Sequence, residues 1–198
     1  MNIHELTYRH SHRPNSKEVY IVLHGSTQGI DSTLIRNVYQ SLDNFGKDVF
    51  AFNFPYIEKG LKPSENLQKE IEALNLVVGY LLNSGYTQIS IVAKSLGAIV
   101  ASQWIAAIPI SMQLRIYILG YVLGDVKTSS FKDRLKLVIQ GQMDYYGDGK
   151  TVEKELQTAG VKAKVKEIAG ADHSYRDKSG KPAFEIEAVK QLINNLES

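Results

Sequence analysis

QISIVAKSLGAIVASQWIAA, residues 88–107, is the stretch that decides how the chain reads. Gln88–Val92 is a short apolar run with β-branched residues, the pattern of a buried strand, and Leu96–Ala107, rich in alanine and isoleucine, reads as a helix. Ser95 falls at the junction. A serine at so tight a strand-to-helix turn is forced into strained backbone angles, so the residues two before and two after it must be small. They are Ala93 and Gly97, with Ala98 next, which is the crowding expressed by the pattern small-x-Ser-x-Gly. The turn also sets the Leu96 N–H at a helix N-terminus, where backbone donors and the helix dipole favour an anion. An ordinary helix-capping serine is the plainer reading of Ser95; the buried strand before it and the helix after it favour the exposed-hydroxyl turn.

Working outward, the same alternation recurs. Strands are expected at Val19–Leu23, Val49–Phe54 (ended by Pro55), Leu114–Leu119, Leu135–Ile139 and Ala163–Ile168. A helix is expected from Ser32, with Leu34, Ile35, Val38 and Leu42 on one stripe and Gly46 as its stop. A longer one follows Ser64 as N-cap, with Leu67, Ile71, Leu74, Val78 and Leu81 on its apolar face and Gly85 at its end. Lys150–Ala159 and Ala183–Leu196 are also expected to be helical, and the polar 11–16 stretch to loop between two early strands. Strands alternating with helices predict an α/β fold with a mostly parallel, doubly wound sheet in a three-layer αβα sandwich. Ligands of such sheets bind at the carboxyl ends of the strands.

Four strand ends carry reactive residue types: His24-Gly25-Ser26, the Ser95 turn, Gln140-Gly141-Gln142-Met143-Asp144, and Gly170-Ala171-Asp172-His173-Ser174. In chain order this supplies a loop of backbone donors, a serine, an acid and a histidine. A histidine accepting the serine proton and a buried carboxylate fixing its tautomer would activate the hydroxyl. His173 is the expected base. Asp144 is favoured as the acid, with Asp125 second and Asp148 a turn residue; Asp172 is set aside because adjacent side chains rarely face each other. The Ser26 N–H, or Thr27 if the loop shifts by one residue, would be a second donor beside Leu96 for an oxyanion. His24 is expected to pack rather than react, and His24 and Thr27 are also candidate pocket residues.

Composition narrows the classes. The chain has 198 residues and no cysteine, which excludes a disulfide framework, a thiolate metal site and a cysteine nucleophile. Its length fits one domain able to bury about 70% of its unfolded surface. Lysine and arginine exceed aspartate and glutamate by two (23 − 21), too little for a nucleic-acid-binding stripe. MNIHELTYRHSHRPNSKE carries no apolar core of a signal peptide, and the longest apolar runs fall short of the about 20 residues that span a bilayer. A cytoplasmic protein with no membrane partner is the expectation.

The strings HGS (24–26), FNFPYIEKG (52–60), AKSLGA (93–98), QGQMD (140–144) and DHSY (172–175) make the chain resemble the α/β-hydrolases. More narrowly, it is similar to small, lid-less, dienelactone-hydrolase-like bacterial proteins related to the α/β-hydrolase-like domain of the non-specific-lethal complex and testis-expressed proteins. FNFPY followed by a glycine and a proline is the most specific of the strings. The resemblance implies an α/β-hydrolase fold with Ser95 as nucleophile, Asp144 as acid, His173 as base, Ser26 and Leu96 as oxyanion donors, and no metal or organic cofactor. It implies a serine hydrolase acting on a small-molecule ester or acyl substrate, as a monomer or weak dimer. Alternatives are a non-catalytic binding or scaffold protein on the same fold, and acyl transfer or perhydrolysis with the same residues. The chain departs from the group at Ala93 and Ala98, where glycine is common, and at Tyr121-Val122-Leu123-Gly124.

Other features carry less. Tyr56, Tyr145, Tyr146 and Tyr175 fall in strand-end loops as candidate pocket walls, with ordinary packing as the alternative. Lys94 is expected at the surface or pocket edge, where it would attract an acidic substrate. Gly149-Lys150-Thr151 imitates the end of a phosphate-binding loop, but Asp144 stands where that loop needs glycine. His10-Ser11-His12 lacks a carboxylate nearby in sequence and reads as a solvated turn rather than a metal site. The 120–133 stretch is too short for a lid domain, so an open, shallow site is expected.

Overall fold

Val19, Ile21 and Leu23 alternate with Tyr20 and Val22, and the two sets become the two faces of one buried strand packed against two separate cores. The computed structural model describes residues 2–108 and 112–196. Its strands are β1 (Tyr8–Ser11), β2 (Glu18–Leu23), β3 (Asp48–Phe52), β4 (Gln88–Lys94), β5 (Gln113–Leu119), β6 (Leu135–Gly141) and β7 (Lys164–Ile168). They form one sheet in the order β1-β3-β2-β4-β5-β6-β7. All neighbours are parallel except β1, which caps the edge by running antiparallel to β3. The helices are α1 (Thr33–Asn44), α2 (Pro55–Glu58), α3 (Gln68–Asn83), α4 (Leu96–Ala107), α5 (Gly149–Thr158) and α6 (Glu185–Asn194).

α1 and α6 cover one face, burying Leu34, Ile35, Val38, Ala188, Val189 and Leu192 over Tyr20, Val22, Tyr117 and Leu119. α3, α4 and α5 cover the other, burying Leu74, Val78, Val100, Trp104, Val152 and Leu156 over Ile21, Ile91, Ile116 and Val138. This is the three-layer, mostly parallel α/β arrangement that the alternation predicts. α4 is apolar on nearly every side because it lies behind the central strands under α3, where Trp104 Nε1 donates to Asn75 Oδ1 at 3.3 Å. Between Gly120 and Asp133 the only helical element is the single 3-10 turn Thr128–Ser130.

Three expectations shift. Pro55 does not simply end a strand; it opens the short α2, where its missing N–H costs nothing. α3 begins at Gln68, not directly after Ser64, because Asn66 and Leu67 turn through positive φ. The Ser64 hydroxyl still reaches the helix, accepting from the Lys69 N–H at 3.0 Å. His10 and His12 do not form a solvated turn without a carboxylate. They lie at the β1 edge against Tyr86, whose hydroxyl donates to the buried Asp48 at 2.6 Å, with His12 Nδ1 3.3 Å from the same carboxylate. Among the described residues no group of three or more such side chains is arranged to hold a metal ion, and no helix is long and apolar enough to cross a membrane.

Candidate active site

The chain leaves β2 for β3 on one side and returns to pair with β2 on the other as β4. Loops leaving β2 and β4 therefore diverge, and the crevice between them is where such sheets hold ligands. Ser95 follows β4 in that crevice with φ 50° and ψ −112°, a conformation that costs about 1–3 kcal/mol for a residue with a side chain. Its N–H donates to Leu119 O at 3.1 Å, which ties the turn to β5. A Cβ at Gly97 would lie 2.8 Å from Leu23 Cβ and 2.9 Å from Leu23 O, so only glycine lets α4 start this close to β2. Ala93 is fully buried in the same packing.

The turn brings Ser95 Oγ to 2.8 Å from His173 Nε2, and His173 Nδ1 to 2.7 Å from Asp144 Oδ2. A carboxylate only accepts, so Nδ1 carries the proton and Nε2 accepts from the serine hydroxyl. Asp144 is held from three sides: Gln140 Nε2 donates to Oδ2 at 2.9 Å, the Tyr146 N–H to Oδ1 at 2.9 Å, and His173 completes the set. Gln140 also bonds the Tyr121 N–H and the Gly147 carbonyl, which fixes its own orientation. Sequence reasoning passed over Gln140; its place on β6, four residues before Asp144, was the available signal. Burial pushes His173 below the usual 6.5, the Asp144 hydrogen bond acts against that, and the Lys94 charge adds to the lowering.

Asp125 is exposed, and Asp148 caps α5 by accepting from the Thr151 N–H. Asp172 organises the turn around the histidine instead, accepting from the Ser174 and Arg176 N–H groups at 2.8 Å. A Cβ at Gly141 would lie 2.5 Å from Ala171 O and Asp172 O, so that glycine lets the loops carrying Asp144 and His173 meet.

The loop after β2 is fixed through one carbonyl. His24 Nδ1 donates to Gly25 O at 2.5 Å, and the Tyr56 hydroxyl donates to the same oxygen at 2.9 Å. His24 Nε2 accepts from the Phe54 N–H at 2.9 Å, which makes His24 neutral, and burial lowers its pKa to about 4. In a planar trans peptide the Ser26 N–H points opposite the Gly25 carbonyl. Pinning that carbonyl therefore aims the Ser26 N–H. His24 packs and holds this loop, and it is not among the residues lining the cleft, contrary to its place as a candidate pocket residue. Tyr56 is not a pocket wall; it is buried behind the loop.

One further expectation is corrected. Tyr175 does not line the pocket: it is fully buried, with its hydroxyl donating to Ile139 O at 2.8 Å. Lys94 borders the cleft, the pocket-edge half of its expectation, with little of the side chain exposed. It is 8% exposed and runs behind His173, donating to the His173 carbonyl at 2.8 Å, because β4 is central and the elbow sends this side chain toward the neighbouring strand end. The remaining crevice is a cleft of about 360 Å³ whose walls include Ser26, Thr27, Ser95, Tyr145, Ser174 and Arg176. A larger hollow of about 580 Å³ lies at the opposite strand ends beside Lys136 and Lys164 and holds none of these groups.

The chain belongs to the alpha/beta hydrolase domain family, whose model matches residues 16–197. It is similar in structure to an alpha-beta serine hydrolase homologue from Coxiella burnetii (19% identity, 97% of this chain and 92% of that one, TM-score 0.77). It is also similar to an alpha/beta serine hydrolase without lid from Xanthomonas campestris (19%, 94% and 89%, TM-score 0.66). A third likeness is to a dienelactone hydrolase from Anabaena variabilis (16%, 97% and 93%, TM-score 0.65). No curated protein matches it.

Proposed function

We propose that the protein is a serine hydrolase that cleaves a carboxylic ester or related acyl bond through Ser95, His173 and Asp144. The observation that carries the reading is the unbroken hydrogen-bond chain from Asp144 through His173 to a serine held at positive φ. His173 Nε2 takes the Ser95 proton as Oγ bonds the carbonyl carbon, and Asp144 stabilises the imidazolium that results. The oxygen that becomes negative is met by the Leu96 N–H, one of the donors a helix start leaves free, and by the Ser26 N–H. His173 then gives its proton to the leaving group as the tetrahedral carbon collapses to an acyl-Ser95. Water repeats the sequence and restores the hydroxyl. No step calls for a cofactor. The family match and the serine hydrolases of similar fold support the reaction class. The narrower kinship with the dienelactone-hydrolase-like group is part of the same proposal and leans on FNFPYIEKG.

The test is a panel of short p-nitrophenyl esters and thioesters run beside Ser95→Ala. Turnover by the wild type with a kcat loss on the order of 10⁴–10⁶ in the variant is expected. Turnover that survives the substitution would overturn the assignment. Competing alcohols or peroxide in the same assay separate hydrolysis from acyl transfer or perhydrolysis.

A further inference from the structure

Lys94 has no task in the mechanism above, yet its Nζ lies against the base. It donates to the His173 carbonyl at 2.8 Å, stands 3.3 Å from His173 Nε2, and sits 5.7 Å from the centre of the Tyr175 ring. The space it fills is kept open by Gly120, at φ +69°, where a Cβ would lie 2.6 Å from Nζ and 3.1 Å from His173 Cε1. Among the described residues no carboxylate is paired with Nζ within ion-pair distance. A buried ammonium without a counter-ion is costly. This one faces the very nitrogen that must become positive for Ser95 to react.

We propose that Lys94 is a positioning residue for His173: it tethers the base-bearing loop by its carbonyl, and the charge on Nζ governs how readily Nε2 takes the Ser95 proton. The proposal rests on the serine hydrolase reading. As an ammonium, Lys94 opposes a second positive charge on the imidazole and offers an N–H that competes with Ser95 Oγ for the Nε2 lone pair. As an amine it keeps a donor for the His173 carbonyl and removes the repulsion. The ionisable groups around Nζ are His173, Tyr175 and Asp172 from the 171–175 turn and Asp144 from the loop after β6; Gly120 after β5 brings none. Burial lowers the Lys94 pKa to about 8, against the pull of Asp144 and Asp172, so both forms are populated near neutral pH.

The experiment is the pH profile of kcat/KM on a short ester, with Ser95→Ala as blank, for wild type, Lys94→Gln and Lys94→Met. Wild type should show two rising limbs, one from His173 below 6.5 and one near pH 8, the second on the order of tenfold. Lys94→Gln keeps a donor without charge, so it should lose the upper limb and exceed wild type at pH 7. Lys94→Met loses the tether as well, so it should lack the upper limb and have a lower kcat than Lys94→Gln throughout. If neither variant folds, the wild-type profile decides alone. A single limb that is flat from pH 7 to 9.5, or an upper limb that falls, overturns the proposal, as does an upper limb retained in Lys94→Gln. If the wild type turns over no ester above the blank and Ser95 resists a fluorophosphonate, the hydrolase reading fails and this inference with it. A labelled, active enzyme with a flat profile removes only the role of Lys94.

Discussion

Ser95, the nucleophile proposed above, is oriented by neighbours that are themselves held by neighbours. Gln140 holds Asp144, Asp144 holds His173, and His24 with Tyr56 holds the Gly25 carbonyl. His24 makes this support measurable. It is neutral in the fold, with its pKa lowered to about 4 from 6.5 by burial. Between those values the unfolded chain binds a proton that the native one refuses, so stability rises with pH through this window. The contribution is complete above pH 6.5 and is lost as the pH falls toward 4, a total of about 3 kcal/mol. Urea denaturation at pH 4 and pH 7 should show that loss in wild type and a smaller one in His24→Gln; equal losses would contradict it. At this scale the meeting of Ser95, Asp144 and His173 was legible in the sequence because each follows the carboxyl end of a strand of the parallel part of the sheet. The burial of Lys94 and Tyr175 was not. Their side-chain directions depend on the turns at Ser95 (φ 50°) and Tyr175 (φ 59°), and local pattern does not encode those angles.

The elements follow from hydrophobic pattern wherever burial is two-sided. β2, β4, β5 and β6 are mostly apolar runs and were legible within a residue or two, because a parallel sheet covered on both faces demands such runs. β1 was harder to read: YRHS has no apolar alternation, and its antiparallel pairing with β3 is a tertiary fact. The start of α3 was displaced because Asn66 and Leu67 adopt left-handed angles that no glycine announced. The contact between α4 and β2 is the element-level feature that sets Ser95. Gly97→Ala would push a methyl onto Leu23 Cβ and the Leu23 and His24 carbonyls. We expect it to cost about 1–3 kcal/mol in chemical denaturation, together with a fall in kcat as the elbow moves. Wild-type stability in this variant would show that α4 can retreat without strain.

Across the whole molecule, the site lies where strand order reverses between β2 and β4, under loops that carry no inserted domain. The cleft of about 360 Å³ is open and walled by Ser26, Thr27, Ser174 and Arg176 as much as by Tyr145. It has no enclosed apolar tunnel to reward a long chain. In a series of p-nitrophenyl esters, kcat/KM should peak at short acyl groups and decline by octanoate; a rise through decanoate would mean that an apolar channel forms on binding. The claim beneath all of this is that Ser95 is the nucleophile. Intact-mass and peptide analysis after treatment with a fluorophosphonate tests it most directly. A single adduct on the Ser95 peptide, absent from Ser95→Ala and from His173→Ala, is expected; an unmodified wild type, or an adduct that persists in Ser95→Ala, would contradict it.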